Sequence, residues 1–355
     1  MERVRVGIVG CGNISGIYFQ NLLSFPQIEV VACADLSAAK AQEASSKHGV
    51  PAIAVDTLLA DPSIELVVNL TVPKAHAEVN DTALNAGKHV YCEKPLATTR
   101  FDGRETIHLA RAKGLRVGCA PDTFLGAGIQ TCRQLIDDGA IGEPVAANAF
   151  MLCHGHESWH PAPEFYYEVG GGPMLDMGPY YLTALVNLMG PIRRVQGSAR
   201  ATFPTRTITS QPHAGKVIQV ETPTHIVGVL DFGSGAIGQI TTSFDVWHHH
   251  MPLLEIYGTE GSLSVPDPNG FGGPVKIRGA KDSDWQEVLI TKPYAENSRG
   301  LGVLDMAMAI RENRPHRASG DLAFHVLDVM QAVLEASDTG ESQTIESGEG
   351  RPEAL

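Results

Sequence analysis

The chain has no basic block, no Cys-x-x-Cys pair and no apolar run near the ~20 residues that cross a bilayer. Each absence removes a class of function. With no clustered lysine or arginine and a formal net charge of −13, neither nucleic acid nor an anionic membrane is expected as a partner. The six cysteines, at 11, 33, 92, 119, 132 and 153, are scattered. Several stand in apolar, strand-like runs, which suits reduced thiols in a cytoplasm better than a disulfide framework. The opening MERVRVGIVG enters a strand pattern at once, so no secretory leader is expected there. Internal repeats and low-complexity segments are missing as well.

What is present is ordinary for a soluble enzyme: 355 residues, 43% hydrophobic and 19% charged, enough for about two domains of ~150 residues. Residues 4–10, 28–35, 66–72, 89–95 and 116–121 read as strands with no polar alternation. Helical stretches at 14–25, 37–49, 76–87 and 103–114 separate them. Such strands, spaced by helices, predict a parallel sheet covered on both faces, a doubly wound α/β domain over 1–121. Residues 122–355 read differently, with helices at 126–138, about 172–189, about 303–312 and 322–337 around long strand runs. Hairpin turns at 231–237 and 259–262 predict an α+β domain on a large, mostly antiparallel sheet. The polar tail after residue 337 is expected to be partly loose.

The segment GIVGCGNISG, residues 7–16, follows the first strand and opens the first helix. Gly10 permits the tight turn and Gly12 lets the backbone approach a pyrophosphate at the helix N-terminus. The third glycine position is Ser15, small enough for close packing. Asp35 ends the second strand, where its carboxylate would bind ribose hydroxyls and repel a 2′-phosphate, so NAD is expected over NADP. A second signal is CEKPLATT, residues 92–99, at the end of a strand. Pro95 holds Lys94 extended, and the carboxyl ends of such strands are where open α/β sheets bind ligands.

Four motifs occur in order: GCGNIS, HAEVNDTALNAGKHVYCEKPLATT, GGGPMLDMGPYYLTALVNLMG and LEIYGTEGSL. Together they resemble the glucose–fructose oxidoreductase / inositol dehydrogenase (Gfo/Idh/MocA) family over nearly the whole chain. The resemblance implies a Rossmann domain, then an α/β domain whose open sheet forms homodimers or homotetramers. It also implies that Lys94 sits beside nicotinamide and substrate, often with a cis bond to Pro95, and that the substrate is carbohydrate-like. We assign Gly10, Gly12, Asn13, Ile14, Asp35, Thr71, His76, Glu93 and Lys94 to the cofactor.

In the third motif, Asp176, Tyr180, Thr183 and Asn187 fall on one helical stripe and Met177, Tyr181, Ala184, Leu185 and Leu188 on another. Asp176 and Tyr180 share a face only if the helix starts before Pro179. Many family members have D-x-x-x-H here; this chain has tyrosine, as do some aldose-oxidising relatives, which favours an aldose (a pentose such as xylose or apiose first) oxidised to the lactone, with a cyclitol dehydrogenase or a non-catalytic NAD-binding sensor as the alternatives. A phenol titrates near ~10 and needs help to act as a base, which the Lys94 ammonium would supply. Lys94, Tyr180 and Asp176 are thus the catalytic candidates, with the choice of base between Tyr180 and Lys94 left open. CHGHESWH (153–160) and FDVWHHH (244–250) read as a sugar pocket rather than a metal site, and Asp122, His156, Trp159 and His248 are its candidate residues.

Overall fold

Strands that are apolar on both faces need cover on both, and the first third of the chain supplies it. The computed structural model describes residues 2–348 and 350–355. Its first elements are β1 (Val4–Val9), α1 (Ser15–Ser24), β2 (Ile28–Ala34), α2 (Ala38–His48) and α3 (Val55–Ala60). Next come β3 (Leu66–Asn69), α4 (His76–Asn85), β4 (His89–Cys92), α5 (Arg100–Ala112) and β5 (Val117–Cys119). Then follow α6 (Ala127–Asp137), β6 (Pro144–Leu152), α7 (Gly172–Met189), β7 (Ile192–Arg200), β8 (Thr205–Thr207) and β9 (Val217–Gln219). The long strands are β10 (His225–Phe232), β11 (Ile237–Ser243), β12 (Leu254–Gly258), β13 (Gly261–Val265), β14 (Val275–Gly279) and β15 (Gln286–Val288). The chain closes with α8 (Leu301–Glu312), α9 (Gly320–Thr339) and β16 (Gln343–Thr344).

β1 to β5 form a parallel sheet in the order β2-β1-β3-β4-β5. Its core packs Val67, Val90, Cys92 and Val117 against Leu84 and Ile107 of the covering helices. The order reverses beside β1, so the loops after β1 and β3 open a crevice at the carboxyl edge, the usual place for a dinucleotide. α5 starts earlier than its hydrophobic pattern implied because Thr99 Oγ1 accepts from Asp102 N at 3.1 Å and caps it.

The second sheet has nine strands in the order β15-β14-β13-β12-β6-β11-β10-β7-β16. Only the β6–β11 pair is parallel, so the expected large, mostly antiparallel sheet is present. Strands β15 and β16, of three and two residues, carry too few alternating positions to be read in advance, and β14 was not read either. The tail is pinned rather than loose. β16 pairs with β7, Ile345 is buried, and Arg351 donates from Nε to the Asn187 carbonyl at 3.1 Å.

The chain divides into two compact units. The first comprises the residues up to Leu125 together with Glu296–Phe324, and the second comprises Gly126–Ala295 and His325–Leu355. This differs from a single boundary after residue 121. The reason is local: Cys119 N donates to Ala318 O at 3.0 Å, and Asp122 holds the start of α8. These contacts return 296–324 to the parallel sheet.

Candidate functional site

In the first unit the phosphate loop joins β1 to α1. Gly10 has φ +103°, and a Cβ there would lie 2.6 Å from the Leu70 carbonyl, so only glycine fits. A Cβ on Gly12 would meet nothing within 4 Å, which leaves open space at the helix start. Gly12, Asn13 and Ile14 are exposed, while Ser15 is buried and donates from Oγ to Gly12 O at 2.7 Å. Asp35 accepts from Cys11 N at 2.8 Å and from Ser37 N at 2.7 Å, so the loop itself aims the carboxylate. Its two oxygens keep lone pairs for ribose hydroxyls. Open space at Gly12, a helix N-terminus with no side-chain cap and a fixed acid fit a dinucleotide.

The turn carrying Lys94 is tightly supported. Tyr18 donates from its hydroxyl to Glu93 Oε1 at 2.8 Å, and Lys94 N donates to Glu93 Oε2 at 2.8 Å. The Lys94–Pro95 peptide is cis, as the family resemblance implied. His76 Nδ1 lies 2.6 Å from Pro95 O and Nε2 lies 3.1 Å from Thr71 O. With a carbonyl at each nitrogen, the ring suits the doubly protonated form. Burial pushes its pKa down, but Cys92 and the two carbonyls outweigh this and hold it up at about 9.

Three of the cofactor candidates make structural contacts here. Glu93 and His76, both buried, build the turn, and Thr71 donates from Oγ1 to Asn69 Oδ1 at 2.7 Å. Asp122 is corrected more strongly, because it is 1% exposed and its Oδ2 accepts from Gly300 N at 2.8 Å and Gly302 N at 3.0 Å. It caps α8 and is not presented to a sugar. Burial pushes its carboxyl up to about 6 against the pull of those two N–H groups.

In the second unit α7 runs unbroken through Pro179, so Asp176 and Tyr180 lie one turn apart on a single helix. Tyr181 is core, as expected, at 2% exposure. The polar stripe is not solvated, because α7 packs inside the unit against β6, β10 and β11. Its lower half is structural: Arg133 donates from Nη1 to Asn187 Oδ1 at 3.3 Å. Its upper half meets His156, whose Nε2 lies 3.3 Å from Asp176 Oδ2. Tyr166 and Phe244 pack edge-on against the His156 ring at 4.3 and 4.6 Å, fixing its direction.

Of the sugar candidates, His156 therefore joins Asp176, and Trp159 stands edge-on to His156 at 5.1 Å with most of its surface exposed. His248 lies exposed in the loop after β11, away from this cluster's contacts. Among the described residues no group of three His, Cys, Asp or Glu side chains could hold a metal ion. Tyr18 and Arg206 were missed. Each sits alone in the sequence, one on an apolar helix face and one in a short strand, with no motif to mark it.

The comparisons with known proteins agree with this layout. The NAD-binding Rossmann-fold domain of the oxidoreductase family matches residues 4–120, and the GFO/IDH/MocA C-terminal domain matches 129–264. The chain is 27% identical over 349 residues to 1,5-anhydro-D-fructose reductase of Ensifer adhaerens, covering 97% of this chain and 99% of that protein. It is 30% identical to dTDP-3,4-didehydro-2,6-dideoxy-alpha-D-glucose 3-reductase of Streptomyces violaceoruber, covering 95% of this chain and 96% of the other. Levoglucosan dehydrogenase in complex with NADH and levoglucosan shares the fold, with TM-score 0.84 at 20% identity over 98% of this chain and all of that one. The chain belongs to the Gfo/Idh/MocA family of NAD-binding oxidoreductases.

Proposed function

We propose that this enzyme oxidises a hydroxyl of a free sugar, with an aldose converted at its anomeric carbon to the lactone as the leading case. A pentose such as xylose or apiose is the first substrate to try. NAD, when bound, supplies the hydride acceptor. Tyr180, held as the phenolate by the Lys94 ammonium, takes the hydroxyl proton and becomes a phenol, and Asp176, steadied by His156, orients a substrate hydroxyl. The observation that carries the reading is that Asp176, contacted by His156, and Tyr180 lie one turn apart on one unbroken helix, so a single face presents both groups. Relatives named for anhydrofructose and xylose support a sugar. Similarity to myo-inositol 2-dehydrogenase of Thermotoga maritima, 25% identical over 262 residues, favours a cyclitol as the second reading.

An NADH-absorbance screen of sugars and cyclitols tests the reading. On the best substrate, Tyr180→Phe should lower turnover by about 10²–10⁴ with NAD affinity unchanged. Lys94→Ala should cost a similar amount, and the double variant much less than the product of the two. Near-full turnover in Tyr180→Phe, with none in Lys94→Ala, would make the lysine the base. The open sheet, with Val229 and Ile237 exposed on neighbouring strands, supports a homodimer or homotetramer, which light scattering measures.

A further inference from the structure

A cavity of about 420 Å³ lies wholly within the second unit and includes neither Asp176 nor Tyr180 in its lining. β6 and β11 are parallel, so their carboxyl ends and following loops share one edge of the sheet. Cys153 N donates to Ser243 O and Val246 N to Cys153 O, both at 3.0 Å, which binds the two loops together. β8 closes the cavity on its other side.

The floor is a buried ion cluster. Arg206, 6% exposed, donates from Nη1 to Glu157 Oε1 at 2.8 Å and from Nη2 to Phe244 O at 2.7 Å and to Asp245 Oδ1. Its guanidinium lies 4.9 Å from the Phe203 ring centroid and 5.7 Å from that of Tyr167, whose hydroxyl donates to Glu157. One cation faces two carboxylates, so no charge remains to attract a phosphate or carboxylate ligand. An anion is disfavoured here; a neutral ligand is not.

The walls carry the chemistry of carbohydrate recognition. Thr205 and Thr207 of β8 and Thr209 just beyond it line the cavity beside Arg206, all three exposed, with Thr209 Oγ1 donating to Glu157 O at 3.4 Å. Each hydroxyl both donates and accepts, as sugar hydroxyls do. Trp247, 71% exposed, stacks one face on His154 at 3.4 Å between ring centroids. Phe203, 41% exposed, adds a second apolar surface. His154 Nε2 lies 3.4 Å from Arg206 Nη1 and so accepts there, which puts the ring proton on Nδ1, a buried atom with no partner among the described residues. The Arg206 Nε–H is likewise buried without a partner. Two orphan donors beside a polar cavity are costly unless a ligand or its water satisfies them.

This cavity adjoins the reacting stripe through one residue. Gly155 and Glu157 line it, while His156 between them turns to Asp176. We propose that the cavity is a second saccharide subsite, which seats the non-reacting ring of a substrate longer than one monosaccharide. The inference rests on the sugar dehydrogenase reading for its kinetics but not for its binding. A volume of 420 Å³ lies in the range of about 300–1,000 Å³ that small-molecule sites occupy, large enough for a ring and its bridging waters.

The test compares wild type, Trp247→Ala and Thr207→Val in the full chain. The probes are xylose, glucose, xylobiose, cellobiose and maltose, followed by NADH formation, by calorimetric binding with NAD present and by light scattering. Both variants should raise KM for the best disaccharide about 10-fold or more and weaken its binding in step, leaving kcat and monosaccharide kinetics within about 3-fold. Equal effects on monosaccharides and disaccharides would overturn the subsite, as would disaccharides that neither bind nor react. A change in oligomer mass without a change in disaccharide binding would make the exposed aromatics an interface and also overturn it. If no sugar reduces NAD, yet calorimetry shows disaccharide binding that Trp247→Ala removes, the dehydrogenase reading fails and the subsite stands.

Discussion

Asp122 offers a test in which the charge and the hydrogen-bonding role of one side chain separate cleanly. Both α8 amides are bound by the same oxygen, Oδ2, so an asparagine carbonyl in that place satisfies them without a charge. The folded-state pKa is pushed up to about 6 from 3.8, chiefly by burial. The protonated form is therefore the one folding favours. The cost of burying the carboxylate is absent below the unfolded pKa, grows as pH rises, and is complete above about 6. A shift of about two units corresponds to about 3 kcal/mol, of which roughly 2 kcal/mol falls between pH ~4.5 and ~7.5. Relative to wild type, Asp122→Asn should gain about that much stability as pH rises through this window. Asp122→Ala leaves two buried amides unpaired and should lose about 2–4 kcal/mol at every pH. Urea unfolding at several pH values measures all three proteins, using the transition that added NAD shifts, since NAD binds the folded first unit. A difference between Asn and wild type that stays flat with pH would refute the buried-charge account. An alanine variant as stable as the asparagine one would refute the capping role.

Asp35→Ala should weaken NAD and narrow its advantage over NADP in kcat/KM, because the aimed carboxylate is lost; equal or better NADP use by the unmodified enzyme would overturn the assignment. Prolonged chelation should leave the rate unchanged, and loss restored by zinc alone would turn the His-rich loops into a metal site. Gly10→Ala should abolish NAD binding measured by calorimetry, since its Cβ would meet the Leu70 carbonyl at 2.6 Å and φ is +103°. A variant that binds NAD normally would show that the loop relaxes.

The parallel sheet, the phosphate loop and the helix bearing Asp176 and Tyr180 were legible because their signals are local. Uninterrupted apolar runs demand burial on both faces, Gly10 at the β1–α1 turn takes a positive φ, and spacing of four places two side chains on one helix face. None of this needs a distant residue. What the sequence did not reveal are contacts that the fold, and no local pattern, brings together. Asp122 looked like a sugar ligand because nothing nearby reveals that Gly300 and Gly302, 178 and 180 residues later, present their amides to it. His76 looked like a cofactor ligand, yet Pro95 and Thr71 enclose its ring. Arg206 lay in a three-residue strand with no pattern at all, and only the fold brings Glu157 and Asp245 to it. The sequence by itself determined the longer elements, because backbone sterics and hydrophobic periodicity act between neighbours. Tertiary structure alone decided which buried polar groups remain for ligands, because that depends on which long-range partners satisfy them first.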